Sequence, residues 1–457
     1  MGLSSVTFII IFILVFVPLY YVLPAQARRH LLLVGSLIFY SLNDFAALPF
    51  ILLVLLIAYG LGLLIQKANG GKMSKFWLML GIVFQLSLMV ATILLPRYEG
   101  NVFCGHSFIG IGFLTVMLIG YYMDVYNEKC VSGGSLLDFC NYALMFPKVL
   151  QGPIVSYGSI RSSLSSPSDA DPESIEKGLR TFILGLSMKV LLADRLYSLW
   201  NGVQTIGLGS ISTPLAWLTM YSYSLQLFLD FQGYSLMAIG LAHMLGFNLP
   251  ANFKSPYLSR SVSEFYRRWH ITLGSWFKDY VYIPLGGSRK GKVRTLLNLS
   301  IVWILTGLWH GLTLNFMIWA GVLLFFILLE KTLLSGWVHS EHPLAKITGH
   351  LYIIILIPFT WMAFAISEPS NLLLLLQRLF GISNEGAAYI DPHDFMNNLE
   401  SYWPYLTGAL ICCFPFVEDI VIKTRNIAGR LICFVLFWLS IYFVVKNGNN
   451  PFMYANF

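Results

Sequence analysis

AALPFILLVLLIAYGLGLLI, residues 46–65, runs for twenty residues without a charge. A helix rises about 1.5 Å per residue, so this stretch matches the roughly 30 Å of hydrocarbon in a bilayer. Ten further apolar runs flank it, at 6–23, 31–42, 77–95, 182–192, 217–245, 296–308, 314–329, 350–365, 405–416 and 431–445. Some are short, and must tilt, lean on neighbours or stay re-entrant. Composition points the same way: apolar residues make up 57% of the chain and charged residues 11%, against about 25% charged in an ordinary soluble domain. A water-facing fold of 457 residues could not hide that much apolar surface. The expected fold is all-α, a multi-pass transmembrane helical bundle of about eleven spans with re-entrant and interfacial helices besides. The first run lacks a basic n-region and many spans follow it, so it is taken as the first transmembrane helix rather than a signal peptide.

Charge placement gives an orientation. Arg28 and Arg29 follow the first run, and Lys67, Lys72 and Lys75 follow the third with no acid between them, whereas Asp44 and Glu99 lie in other connections. Putting positives inside places the N-terminus outside and these basic loops in the cytoplasm. Six cysteines, Cys104, Cys130, Cys140, Cys412, Cys413 and Cys433, include no CxxC pair. Several lie in apolar runs, where a thiol behaves as a small hydrophobe. No zinc or haem spacing is present, and no metal site is expected.

No internal repeat is detectable. Two polar stretches, 162–177 and 383–400, are expected to be solvated loops, the first leading into a helix near Glu173. The net charge sits in one place. Lys254, Arg260, Arg267, Arg268, Lys278, Arg289, Lys290, Lys292 and Arg294 are offset there only by Glu264 and Asp279, a balance of +7 that equals the balance of the whole chain. Phe265, Tyr266, Trp269, Trp276, Phe277, Tyr280 and Tyr282 interleave with these cations. That mixture suits a membrane interface, where rings sit at headgroup level and long cations snorkel. Short amphipathic helices with a turn at Pro284-Leu285-Gly286-Gly287 are expected. Plain anchoring explains such a segment; receiving an anionic ligand on the same surface is the functional alternative. Nothing points to a nucleic-acid partner.

Ionisable groups inside apolar runs are costly and mark function. His270 lies in Arg267-Arg268-Trp269-His270, and His310 in Gly307-Leu308-Trp309-His310-Gly311. Small neighbours let a substrate or another backbone approach His310. Imidazole titrates near neutrality and is a natural general base for a hydroxyl. A histidine that only packs helices would carry the same local signature, and spacing alone does not bring the two together. Asp230, in Leu229-Asp230-Phe231-Gln232-Gly233-Tyr234, is expected to pair with a buried cation or cap a broken helix. FPKVLQGPI, residues 146–154, holds two prolines and a glycine among apolar residues, and predicts a bent or re-entrant segment lining a cavity.

These stretches carry a resemblance. FLDFQGYSLMAIGLAHMLGF (228–247), NFKSPYLSRSVSEFYRRWHITLGSWFKDYVYIPLGGSRKG (252–291) and GLWHG (307–311) resemble the signature region of the membrane-bound O-acyltransferase superfamily, in wording closest to its bacterial alginate O-acetyltransferase branch, with the teichoic acid D-alanyl transferase branch second. GIGFLTVMLIGYYMDVY (110–126), FPKVLQGPI and the terminal PFMYANF (451–457) also fit. The resemblance implies a single membrane domain over 1–457, with N-terminal helices in 1–130, a catalytic core in 136–335 and C-terminal helices in 345–457, around a central tunnel. It places the catalytic histidine at His310 and the second polar catalytic position at His270. Arg267, Arg268, Trp269, Lys278, Asp279, Trp309 and Asp230 become candidate substrate-binding residues. The sequence departs from the family pattern within Met317-Ile318-Trp319-Ala320-Gly321-Val322-Leu323-Leu324, where a leucine stands in place of a further histidine that many relatives carry, at Leu236 and Gln232, and at Ala455-Asn456; these departures bear on the substrate.

The implied activity is transfer of an acyl group, in the first place acetyl, from a cytoplasmic thioester donor to a hydroxyl of an extracytoplasmic polysaccharide or partner protein. His310 would act as general base. The donor is acetyl-coenzyme A or an acyl carrier protein; no cofactor is expected to stay bound. Expected partners are the lipid membrane and a periplasmic or extracellular esterase-like (SGNH-type) protein, and the expected location is the bacterial cytoplasmic membrane. D-alanyl transfer toward lipoteichoic acid from a carrier protein is the rival within the family. A transporter or channel, with His310 and Asp230 in a proton relay, is the rival of another class; the missing repeat argues against it.

Overall fold

The computed structural model describes residues 2–95, 108, 110–132, 134–382, 390–424 and 426–447. Cys104, Glu99, Glu385 and the 451–457 ending lie outside the described residues. Every described element is a helix, with no strand among them. Hydrocarbon offers backbone polar groups no partner, and helices satisfy them within each segment.

Five described helices are long and apolar enough to cross a membrane: Leu48–Lys67, Gly71–Leu94, Leu314–Thr332, Pro343–Ala365 and Ile427–Lys446. A sixth span arises if Asp394–Cys412 and Phe416–Lys423, bent by 89° at their junction, are one element. Three of the other apolar runs take the following forms. The 217–245 run lies in the 32-residue helix Thr213–Met244, every residue of which is buried from 222 to 242. An all-round apolar helix fits a protein core as well as lipid. The 182–192 run ends in a wide π turn, Met188–Ala193, and contains Lys189. The 6–23 run is three pieces, Val6–Ile10, a π segment Ile11–Phe16, and Val17–Val22.

The described residues form two compact, sequence-interleaved units: Met1–Gly185 with Tyr234–Ala251 and Val444–Phe457, and Leu186–Gly233 with Asn252–Phe443. In the first unit, Phe8, Phe12, Phe16 and Tyr20 stack as a ladder along the opening helix, with successive centroids 5.6, 5.7 and 6.4 Å apart. Positions four apart drift around an α-helix, and the wider π turn takes up that drift. Phe146 presents its edge to Phe8, Phe12 and Phe16. It starts the FPKVLQGPI segment, which is non-helical and buried, as the sequence predicts for a bend. Lys148 within it is 1% exposed, with Nζ 3.1 Å from Met117 Sδ and 4.9 Å from the Tyr142 ring centroid.

Helices Pro172–Ser187 and Thr213–Met244 cross in this unit at two glycines. A Cβ on Gly178 would meet Gly240 O at 2.7 Å, and one on Gly240 would meet Gly178 O at 2.5 Å. Asp171 caps the first of these helices, accepting from Glu173 N, Ser174 N and Ser174 Oγ. This matches the loop-to-helix entry expected there. Residues 394–400 differ from expectation: they open the helix Asp394–Cys412, and Asp394 accepts from Ser212 N and Oγ at 2.7 and 2.5 Å. Two positives counted for orientation also have protein partners. Arg28 holds Leu23 O, Ser168 O and Asp169, and Arg29 holds Asp138 at 2.6 Å.

In the second unit Lys189 is the buried hub. Its Nζ lies 2.6 Å from Asp230 and 2.8 Å from Asp194, with side-chain exposures of 3%, 1% and 11%. The cation expected beside Asp230 is thus Lys189, inside a run that looks purely apolar. Removing one partner of a buried ion cluster leaves uncompensated charge. Lys189→Met should therefore lower unfolding stability in detergent by about 3–5 kcal/mol, and Asp194→Asn by less because one carboxylate stays paired; thermal melts of the purified variants check the order.

Candidate active site

Residues 252–272 fold back on themselves around His270. Lys254 N donates to Arg268 O and Ile271 N to Asn252 O, both at 2.9 Å, and Thr272 Oγ1 donates to Asn252 Oδ1 at 2.6 Å. Helix Val262–Arg268 lies between. Its N-cap Ser261 accepts from Glu264 N at 3.0 Å, while Glu264 accepts from Arg260 N at 2.9 Å. A second carboxylate arrives from elsewhere. Glu330, 2% exposed, accepts from Val262 N at 2.5 Å, Ser263 N at 3.0 Å and Ser263 Oγ at 2.7 Å. Negative charge at a helix start answers its unpaired N–H groups.

His270 follows this helix and caps the next, Ile271–Phe277, at φ 45° and ψ 52°. A non-glycine residue in the left-handed region is strained, and persists where the surroundings over-determine it. The Asn252 contacts on both sides of the turn do that. The imidazole is 5% exposed and lies 4.7 Å from the Phe231 ring, edge to face.

His310 is the last residue of helix Lys292–His310. Its ring centroid lies 4.7 Å from Trp309, 5.0 Å from Trp319, 5.2 Å from Phe364 and 6.1 Å from Phe316. Trp309 also meets His270, at 6.0 Å. One indole therefore touches both imidazoles, and their centroids lie no farther apart than the sum of those two contacts. The glycines beside His310 admit protein. A Cβ on Gly311 would strike the Phe316 ring at 2.6 Å, and one on Gly307 would meet Ala320, Met317 and Phe316 at 3.0–3.2 Å. They let helix Leu314–Thr332 close against the His310 helix. Asn315, buried in that hairpin, donates to Phe364 O at 3.1 Å and ties down the end of helix Pro343–Ala365, which bears another cage ring.

The other candidate residues separate into four groups. Trp269 is 4% exposed and packed among Phe265, Phe253 and Trp361, so it belongs to the aromatic core. Asp230 belongs to the Lys189 cluster; its neighbour Phe231 is the residue that reaches His270. Arg267, Lys278 and Asp279 are exposed. Arg268 is half-buried and paired with Glu264 at 2.6 Å. The Pro284–Gly287 turn is present, stitched to the His310 helix by Asn298 Nδ2, which donates to Gly287 O at 3.0 Å. Among the departures from the family pattern, Gln232 donates to Glu418 at 2.9 Å, an internal contact, and Leu236 is buried; Ala455-Asn456 lie outside the described residues. Lys189, Asn252, Asn315, Trp319 and Glu330 were not singled out by the sequence; Asn252, Asn315 and Glu330 act across long sequence separations.

Residues 111–368 match the model of the family described as MBOAT, membrane-bound O-acyltransferase. The chain belongs to the membrane-bound O-acyltransferase family. It is 34% identical to a probable alginate O-acetylase of Pseudomonas fluorescens over 72% of this chain and 66% of that protein, so the match spans just under two thirds of that relative's length. It is 29% identical to a peptidoglycan O-acetyltransferase of Helicobacter pylori over 85% of this chain and 82% of that protein. A teichoic acid D-alanyltransferase of Streptococcus thermophilus is 27% identical over 50% of this chain and 58% of its own. The resemblance seen in the motifs is borne out, and the family segment contains both histidines.

Glu330 is the clearest support beneath the site, since its loss strips an acceptor from two backbone N–H groups and a hydroxyl. Hydrogen bonds to a charged group contribute about 1.5–3 kcal/mol each. Glu330→Ala should therefore destabilise the protein more than Tyr352→Phe, which removes a single contact of 3.3 Å to the same carboxylate; equal melting temperatures for the two variants would contradict this account.

Proposed function

We propose that this protein is a membrane O-acyltransferase that moves an acetyl group from a thioester donor to a hydroxyl on an extracytoplasmic polysaccharide or partner protein. The observation that carries the reading is the pair of imidazoles meeting at Trp309, within the family segment. His310 takes the hydroxyl proton as the oxygen attacks the thioester carbonyl carbon. The tetrahedral intermediate then collapses, the C–S bond breaks, and the thiolate recovers the proton from the imidazolium. His270 polarises the carbonyl or orients the thioester. The aromatic wall around His310 keeps water scarce and so protects the thioester from hydrolysis.

In this reading the chain lies in a bacterial cytoplasmic membrane, with about eleven crossing or re-entrant segments around a tunnel. The exposed cations Arg267, Lys278, Arg289, Lys290, Lys292 and Arg294 face the cytoplasm and receive the phosphates of coenzyme A or of a carrier protein's phosphopantetheine arm. An esterase-like (SGNH-type) protein outside the membrane is the partner. The names of the Pseudomonas and Helicobacter relatives support acetyl as the group moved and an envelope glycan as the destination. The Streptococcus relative keeps D-alanyl transfer from a carrier protein as the second reading.

Radiolabelled acetyl-coenzyme A and a D-alanyl-charged carrier protein, offered separately to the purified protein in detergent, decide between donors. Loss of a general base costs about 10²–10⁴-fold in rate, and that is the drop expected for His310→Ala on the productive donor. A His310→Ala protein as active as wild type on both donors would sink the acyltransferase assignment to this site.

A further inference from the structure

The wall of the His310 cage contains a buried polar atom that the scheme above leaves unused. Trp319 is 2% exposed, and its ring stands at 89° to His310 with centroids 5.0 Å apart. Its indole Nε1–H is buried and has no hydrogen-bond acceptor among the described residues. The rings around it are Trp303, Tyr266, Trp361 and Phe364, none farther than 6.4 Å. Ring faces are second-order acceptors at best. A buried indole N–H ordinarily finds a partner, and leaving it without one costs about 1–3 kcal/mol. Packing does not explain the choice of residue, because a purely apolar ring would fill the cage without that cost. Such groups in native structures are explained by catalysis or by a bound species.

We propose that Trp319 is a further catalytic residue, whose indole N–H donates a hydrogen bond to the carbonyl oxygen of the acyl donor as that oxygen becomes an oxyanion. This rests on the acyltransferase reading and adds to it. As the acceptor hydroxyl oxygen bonds to the carbonyl carbon and His310 takes its proton, the carbonyl π pair moves onto oxygen. The N–H stabilises that charge. When the carbonyl re-forms, the C–S bond breaks and the thiolate takes the proton back from His310. A neutral donor fixed in an apolar wall suits this task. It needs no reorganisation at the moment of reaction, and it acts where no water competes. It also leaves the protonation of the two imidazoles untouched, which a charged donor in the same place would not.

The experiment replaces Trp319 by phenylalanine and, in a second variant, by 3-benzothienylalanine, which keeps the bicyclic shape and puts sulfur where the N–H stood. Both are compared with wild type and His310→Ala on radiolabelled acetyl-coenzyme A and on the D-alanyl-charged carrier protein, using whichever donor wild type turns over. Removing one oxyanion donor costs about 10²–10³-fold in kcat. The isostere should show that loss with KM and melting temperature unchanged, even where the phenylalanine variant folds poorly around the smaller ring. An isostere with kcat within about twofold of wild type, while His310→Ala is inactive, overturns the role of Trp319 and leaves the acyltransferase reading standing; if wild type and His310→Ala are equally active, or neither turns over either of the two donors, both readings fall.

Discussion

Lys189 sits 2.6 Å from Asp230 and 2.8 Å from Asp194 in a part of the chain with almost no other charge. Charges this deeply buried are tolerable only in close company, so the cluster sets the register of the helix that carries Asp230. The next residue on that helix, Phe231, puts its ring against His270. His270 in turn meets Trp309, and Trp309 meets His310. A charge interaction far from neutral water is thereby linked, one contact at a time, to the pair of imidazoles. Every contact in this series lies within the second compact unit. The aspartate expected to pair with a buried cation thus holds the helix that holds the histidine's neighbour.

The motifs around the histidines are local, and so they were legible: a histidine before Ile271 and a histidine between Trp309 and Gly311 can be found by reading along the chain. What completes the site arrives from elsewhere. Glu330 comes from the far end of the next helix, Asn252 from a loop eighteen residues before His270, and Phe364 from a third helix. Periodicity carries no information about such meetings. Lys189 was hidden for a different reason, being one charge in an otherwise apolar run. The same limit applies to counting spans. Hydropathy measures whether a segment avoids water, and residues 222–242 avoid it inside protein. The family match over 111–368 supplies what periodicity cannot, the common membership of these scattered segments.

The basic-aromatic segment divides cleanly by residue type. Its aromatic residues Phe265 and Trp269 turn inward and join the core that includes Trp361, while Arg267, Lys278, Arg289, Lys290, Lys292 and Arg294 stay exposed. Arg260 and Arg268 are half-buried instead, the first paired with Glu341 and the second with Glu264 four residues earlier on the same helix. One short stretch therefore does two jobs. Phe265 and Trp269 tie it into the aromatic core, and its exposed cations remain available to an anionic ligand or surface. Since the side chains face opposite ways, substitutions in the two sets act on different properties, the rings on stability and the cations on electrostatics.

The glycines of Gly307-Leu308-Trp309-His310-Gly311 suggest, in sequence, space for a substrate beside the imidazole. In the folded chain that space is filled. Phe316 occupies the position that a side chain on Gly311 would need, and Ala320 with Met317 crowds Gly307. The hairpin is closed tightly enough that Phe316 and Trp319, both from the second helix, become walls of the His310 cage. Small residues here let one helix approach another, the usual basis of close helix packing where lipid gives no hydrophobic drive. Their effect on the site is indirect: by admitting the second helix, they bring the Trp319 ring to 5.0 Å from the His310 ring, centroid to centroid.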